Sequence, residues 1–365
     1  MPVTFRAETV GSLLRPNYLK NARRAWQAGD LAMVDFKRIE DRAVDAAIAL
    51  QEGIGLDVIT DGEMRRQVFI DSLTAAVDGL STVPASAIHW HGPTPADEMD
   101  FQPAISVTGR LRRRRSLATE EFAYARARAH KTLKMTLPSP LMLALLWSPE
   151  HSTAAYSDPF TCFADATDIL RDEVRELAAL GCEYIQIDAP ELATLVDDTQ
   201  RRATYEARGV SPDRMLGEGI EMLNALADAP GVMFGLHLCR GNNAGHWMSR
   251  GGYESISKQV FRRATNYRTF LLEYDDSRSG SFEPLSDIPR DKSLVLGLIS
   301  TKKCDLESPD ALLQRIVEAS SYFPRDQLAL STQCGFASVM QGNPVTADVQ
   351  ERKLCLVSEV ARRFW

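Results

Sequence analysis

The run Val232-Met233-Phe234-Gly235-Leu236-His237-Leu238-Cys239-Arg240-Gly241-Asn242 decides how the rest of the chain is read. An apolar segment feeds a His-x-Cys pair and then glycine and asparagine, which is the pattern of a buried strand ending at a polar loop. Residues i and i+2 of a strand share a face, so His237 and Cys239 point the same way. Alone, such a pair is more often core packing than a metal site. Two later strand ends change the balance: Glu273 in 270–276 and Cys334 in 328–335. One imidazole, one carboxylate and two thiolates from three strands suit a tetrahedral zinc site.

Outward from this stretch, short apolar strands are expected at 7–12, 56–60, 134–138, 184–190, 270–274, 294–300 and 328–331. Helical periodicity lies between them at 35–53, 159–180, 213–227, 255–263, 309–320 and 347–364. A Leu- and Ala-rich run over 138–147 is also expected to be helical. Doubly apolar strands separated by helices imply a parallel sheet covered on both faces. Eight such units favour an α/β fold of the closed (β/α)8 TIM-barrel kind over an open sheet. Gly11-Ser12, Asp61-Gly62-Glu63, Asp188-Ala189-Pro190, His237-x-Cys239, Glu273-Tyr274-Asp275 and Gln333-Cys334-Gly335 all fall at strand C-terminal ends. Barrels place their active sites there. The rhythm breaks between 80 and 130, where Pro84, Pro93, Pro95 and Pro103 interrupt it. The chain therefore reads as one catalytic barrel over 1–365 with an inserted excursion after the second strand. That excursion would serve as a hairpin, lid or dimer contact, and a homodimer is one expectation.

Composition fits this frame. The 365 residues are 44% hydrophobic and 25% charged with a net charge of −7, as in an ordinary soluble protein without a nucleic-acid surface. The only dense basic cluster, 110–115, lacks an aromatic platform. It reads as a solvated or subunit-contacting face rather than an RNA site. Met1–Arg6 carries no apolar leader, and no window approaches a membrane span. A cytoplasmic location with six unpaired cysteines follows as the expectation. Cys162, Cys182, Cys304 and Cys355 lack a strand-end context and read as core or surface residues.

Zinc in an S2NO shell keeps an incoming thiol in its reactive thiolate form. Hydrolysis is the competing use, but no general base stands beside the metal strands. Asp188 and Glu63, each also readable as a helix cap or loop ion pair, would together suit a substrate ammonium. The Gly11-Ser12 turn would offer backbone N–H groups to a carboxylate. An amino-acid head group whose thiol reaches the zinc is the ligand these features describe.

These residues resemble the C-terminal catalytic domain of cobalamin-independent methionine synthase, and more closely its short single-barrel relatives. The resemblance spans nearly the whole chain. It is carried by Thr9–Ser12, Asp61–Glu63, Trp147, 185–190, 237–242, 273–276 and 333–336. It implies a zinc-dependent methyltransferase, of the 5-methyltetrahydropteroyltriglutamate-homocysteine S-methyltransferase type, that converts homocysteine to methionine. His237, Cys239, Glu273 and Cys334 match the zinc ligands. Val10, Gly11, Ser12, Glu63 and Asp188 match the homocysteine pocket. Trp147 matches a tryptophan that packs on the folate pterin, with a core or helix-end tryptophan as its plainer reading.

Two departures bear on the donor. The long enzymes carry an additional N-terminal barrel, and they place a proton-donating histidine after the seventh strand, where this sequence reads 297–303 without one. Lys302 or water would have to substitute, or the leaving group would need no proton. The donor is thus methyltetrahydrofolate or a methylcorrinoid such as methylcobalamin, held on a partner protein. A rival within the same superfamily moves an alkyl group from an epoxide or other electrophile to a small thiol such as coenzyme M. Its sulfonate would require Arg65, Arg66 or Arg240. A non-catalytic zinc protein is the remaining alternative.

Overall fold

Eight parallel strands close into a barrel in simple sequential order, each pairing with its neighbours in the chain and the last with the first. The structure is a computed structural model and describes residues 5–116 and 118–365. The strands are β1 (Ala7–Glu8), β2 (Val58–Ile59), β3 (Thr132–Pro138), β4 (Tyr184–Asp188), β5 (Met233–Leu238), β6 (Thr269–Glu273), β7 (Ser293–Ile299) and β8 (Leu328–Thr332). The (β/α)8 expectation is met. The reading of a leader-free terminus rests on residues 1–6, of which 1–4 lie outside the described residues. Among the described residues no helix is long and apolar enough to cross a membrane.

Sequence signals set the helix starts. Pro159 and Pro309 open helices Pro159–Ala179 and Pro309–Ser320, where a missing N–H costs nothing. Asp158 and Ser308 accept hydrogen bonds from Phe160 N and Ala311 N just before them. Met33–Ile54 stops at Gly55, whose φ of 82° is open to glycine without strain. Two expectations need correction, and two helices were missed. Residues 138–147 form only a 3-10 turn, Pro140–Leu145. The helix expected at 213–227 is interrupted by a π-turn, Met215–Gly219, where two glycines weaken the α-helix. Helices Asn17–Ala28 and Ala118–Arg126 were not anticipated, because each buries only a short stripe of small and mixed residues, such as Leu19, Ala22 and Arg23 in the first and Ala118, Phe122 and Ala125 in the second.

Strand register sorts side chains between two cores. Leu271 is level with His237 on one side and Val295 on the other, and Val295 is level with Ala329. Leu271, Val295 and Ala329 pack with Val10 as a small apolar cluster inside the barrel. Their neighbours Phe270, Leu272, Leu294 and Leu296 join the main core between strands and helices. Because parallel neighbours in register point the same way, His237 and, two residues on from Leu271, Glu273 lie inside. Buried Lys134 fills another part of the interior, bonded to Glu8 and, at 2.8 Å, to Thr9 O.

The excursion contains two antiparallel pairs. Val77–Ser81 pairs with Ser106–Arg113, and Ile88–Trp90 pairs with Met99–Phe101 as a hairpin. The basic run is less free than expected. Arg113 reaches Glu173 at 2.7 Å and Glu176 at 2.5 Å, and Arg110 reaches Asp165 at 3.4 Å, all on helix Pro159–Ala179. Arg112 and Arg115 remain exposed.

Candidate active site

β5 delivers His237 level with Asp188 on β4. Cys239 follows the last residue of β5, and Cys334 comes two residues after β8. Ligating atoms of His237, Cys239 and Cys334 all lie within 4.8 Å of one another, and all three residues are buried. His237 Nδ1 donates to Leu271 O at 3.2 Å, which fixes the ring and leaves Nε2 as the free lone pair. Buried Nε2 has no hydrogen-bond partner among the described residues. The two sulfurs are 3.9 Å apart. Their thiols shift in opposite directions: the hydrogen bond between them, with His237 and Lys302 nearby, pulls Cys334 well down, while Cys239 is pushed up. An orphaned imidazole nitrogen beside two sulfurs, one of them readily ionised, is a donor set that fits zinc.

Glu273 is not gathered into that group. Its Oε2 accepts from Arg240 N at 2.7 Å, and its Oε1 lies 3.3 Å from both Lys302 Nζ and Arg278 Nη2. Burial pushes this carboxyl up, but Lys302, Arg278 and Arg240 together hold it at about 2. Lys302 is therefore engaged as the counter-ion of Glu273.

A cavity of about 500 Å³ opens beside the thiols. Val10, Gly11, Ser12 and Asp188 line it, as the sequence suggests. Among the described residues the N–H groups of Gly11 and Ser12 donate to nothing. Asp188 accepts from Gln186 Nε2 at 2.7 Å, and burial pushes its carboxyl up to about 7. Glu63 stands behind this wall. One of its oxygens accepts from Ser12 Oγ, and the other accepts from Thr136 Oγ1 at 2.5 Å and lies 3.5 Å from Arg66. It also holds an unusual left-handed φ of 53°. Trp147 is buried in the main core and does not line the cavity. The tryptophan on the wall is Trp90, from the excursion hairpin.

Two wall residues escaped the sequence reading. Glu191 lines the cavity near Asp188, its buried carboxyl oxygens have no hydrogen-bond partner among the described residues, and burial pushes it up to about 8. Its position directly after the Asp188-Ala189-Pro190 strand end was the available signal. Trp90 had none, since its segment reads as irregular.

The sequence model of the family described as "Cobalamin-independent synthase, Catalytic domain" matches residues 5–240. The chain belongs to the cobalamin-independent methionine synthase family. Membership places it among methyltransferases of that type. Two uncharacterized proteins of Bacillus subtilis, YxjH and YxjG, are 34% and 35% identical over 99% of this chain and 95% of their own length. A methionine synthase of Saccharolobus solfataricus is 22% identical over 94% of this chain and 95% of its own. Among solved structures, a Listeria monocytogenes protein provisionally named a vitamin-B12 independent methionine synthase superposes with a TM-score of 0.74. It is 26% identical and covers all of this chain and 99% of its own. A B12-independent methionine synthase from Shewanella, in complex with selenomethionine, shares the fold at 20% identity and a TM-score of 0.78, over 99% and 98%. The family match ends before Glu273 and Cys334; closure of the barrel brings Cys334 to His237 and Cys239.

Proposed function

We propose that this protein is a zinc-dependent methyltransferase that moves a methyl group to the sulfur of homocysteine, giving methionine. The observation that carries the reading is the His237, Cys239 and Cys334 cluster on the wall of a cavity that also holds Asp188 and the Gly11–Ser12 turn. His237, Cys239 and Cys334 would hold the metal. Glu273 would serve as a fourth donor only by leaving Lys302 and Arg278, which hold its Oε1 at 3.3 Å. Zinc bound there supplies the Lewis acidity that keeps a substrate thiol ionised at neutral pH.

The chain's own groups do the rest. Free N–H groups of Gly11 and Ser12 receive the substrate carboxylate, and Asp188 receives its ammonium. Glu63 acts as a positioning residue, holding Ser12 through its hydroxyl. Phe69 and Trp90 give the cavity an apolar, aromatic side for the donor. Attack by sulfur on the methyl carbon breaks the bond to the leaving group, which keeps the electron pair. With a folate donor that pair is on nitrogen and takes a proton. Glu191, pushed up to about 8 by burial and without the His237 charge that opposes the rise at Asp188, is the wall carboxyl that holds its proton more firmly and would give it.

The coenzyme M alternative fits less well, because each arginine it needs is already engaged. Arg66 is bound to Glu121 at 2.7 Å, Arg65 to Asp41 at 2.6 Å, and Arg240 to Gly251 O at 2.7 Å. The test is methionine formation by zinc-loaded protein from homocysteine, with methyltetrahydrofolate and methylcobalamin offered separately. Product from either establishes the transferase and names its donor. Thiol binding without product from either sinks the homocysteine assignment. Cys239→Ser should lose bound zinc and activity together, by about 100-fold or more in rate.

A further inference from the structure

The excursion hairpin carries a second group of ligating side chains, remote in character from the thiol cluster. Its register sets His89 opposite Asp100 and Trp90 opposite Met99. Alternation then divides the hairpin into two faces. Ile88 and Trp90 pack with Met248 and help wall the cavity. His89 and His91 take the other face, with Glu98 and Asp100 across from them. His89 Nε2 is 3.5 Å from Glu98, and His91 Nδ1 is 3.2 Å from the same carboxylate. Ligating atoms of His89, His91 and Glu98 all lie within 4.8 Å of one another.

We propose that His89, His91 and Glu98 form a second site for a divalent transition metal of the zinc class, on the outer face of this hairpin. Two imidazole nitrogens and a carboxylate are ligands such ions accept. The orienting group is also in place. His89 Nδ1 donates to Asp100 at 2.9 Å, which directs Nε2 to the ion, as metal-bound histidines are commonly held. His91 is fixed by its backbone, which exchanges hydrogen bonds of 2.8 and 3.1 Å with Trp247 in the loop after β5. Simple ion pairing accounts poorly for the arrangement. Exposed pairs contribute little to stability. A bound ion would tie both hairpin strands together on the side opposite the cavity wall. This site shares no residue with the barrel-mouth cluster, so the two stand or fall separately.

The test is equilibrium dialysis of the full chain against Zn2+, with bound metal measured per chain. Wild type should bind two equivalents. His89→Ala with His91→Ala should bind one, and Cys239→Ser with Cys334→Ser should bind one. Substitution by Co2+ separates them spectroscopically. The thiolate-to-cobalt charge-transfer band should survive in the histidine variant, which also shows that it is folded, and vanish in the cysteine variant. Glu98→Gln should weaken the hairpin equivalent about tenfold. If wild type and the histidine variant bind the same number of equivalents, the hairpin site does not exist. If wild type binds one equivalent and only the histidine variant loses it, the hairpin site stands and the barrel-mouth metal fails.

Discussion

Asp188 and His237 are register partners on adjacent parallel strands at the mouth of the barrel. This pairing puts a carboxyl of the cavity wall beside the imidazole of the thiol cluster, with no loop between them. Burial pushes the carboxyl up, and the charge on His237 opposes the rise. The cavity wall and the thiol cluster are thus built on one register pair, tied just beyond it by Ala189 N, which donates to His237 O at 2.9 Å.

Asp188→Asn removes the charge and keeps the shape. The variant should retain zinc and show a homocysteine KM raised about tenfold or more, the worth of one charged hydrogen bond. Metal content and steady-state kinetics, measured together, check this. An unchanged KM would mean the ammonium is bound elsewhere.

Glu191→Gln replaces a neutral carboxyl by its isostere. The folded protein holds the Glu191 proton up to about pH 8, whereas the unfolded chain releases it in the ordinary carboxylate range. The native state therefore binds the extra proton between those limits, and stability falls as pH rises through that window. The limit is about 1.4 kcal/mol per pH unit. The variant should lose this slope, so urea midpoints at pH 5 and pH 8 should differ less than in wild type. Its kcat should fall with methyltetrahydrofolate and hold with methylcobalamin.

Gly335→Ala tests the Gly11–Ser12 turn proposed to receive the substrate carboxylate. A Cβ at Gly335 would stand 2.5 Å from Ser12 N and 3.0 Å from Gly11 C. Such a contact must push the turn away. Thermal denaturation should report a loss of about 1–3 kcal/mol, and the homocysteine KM should rise. Wild-type kinetics would remove the turn from the binding site.

Arg66→Leu strips the cation from a buried group of Glu121, Glu63 and Thr136. Two carboxyls are left without their counter-charge, which should cost about 3–5 kcal/mol. Burial already raises Glu121 to about 7 against the pull of Arg66. Without the arginine the folded state must keep that carboxyl protonated, so the penalty should grow from pH 5 to pH 8. Denaturant midpoints at the two pH values check the sign.

The alternation of apolar strands and helical stripes was enough to count eight units and place the polar strand ends, because period and burial are written in local order. His237 and Cys239 could be paired from spacing alone, since two residues along one strand share a face. Cys334 could be nominated but not placed. Only closure of the barrel brings the end of β8 within reach of β5. Glu273 shows the limit: its strand-end position was legible, but its partners Lys302 and Arg278 come from loops whose course no periodicity encodes. Trp147 and Trp90 fail in the same way, one drawn into the core and the other brought to the cavity by an irregular hairpin. What the chain determines locally is which residues lie on a strand's inner face. Which of them meet, and which charges are already spent, depends on contacts between segments far apart in sequence, and only the folded barrel decides that.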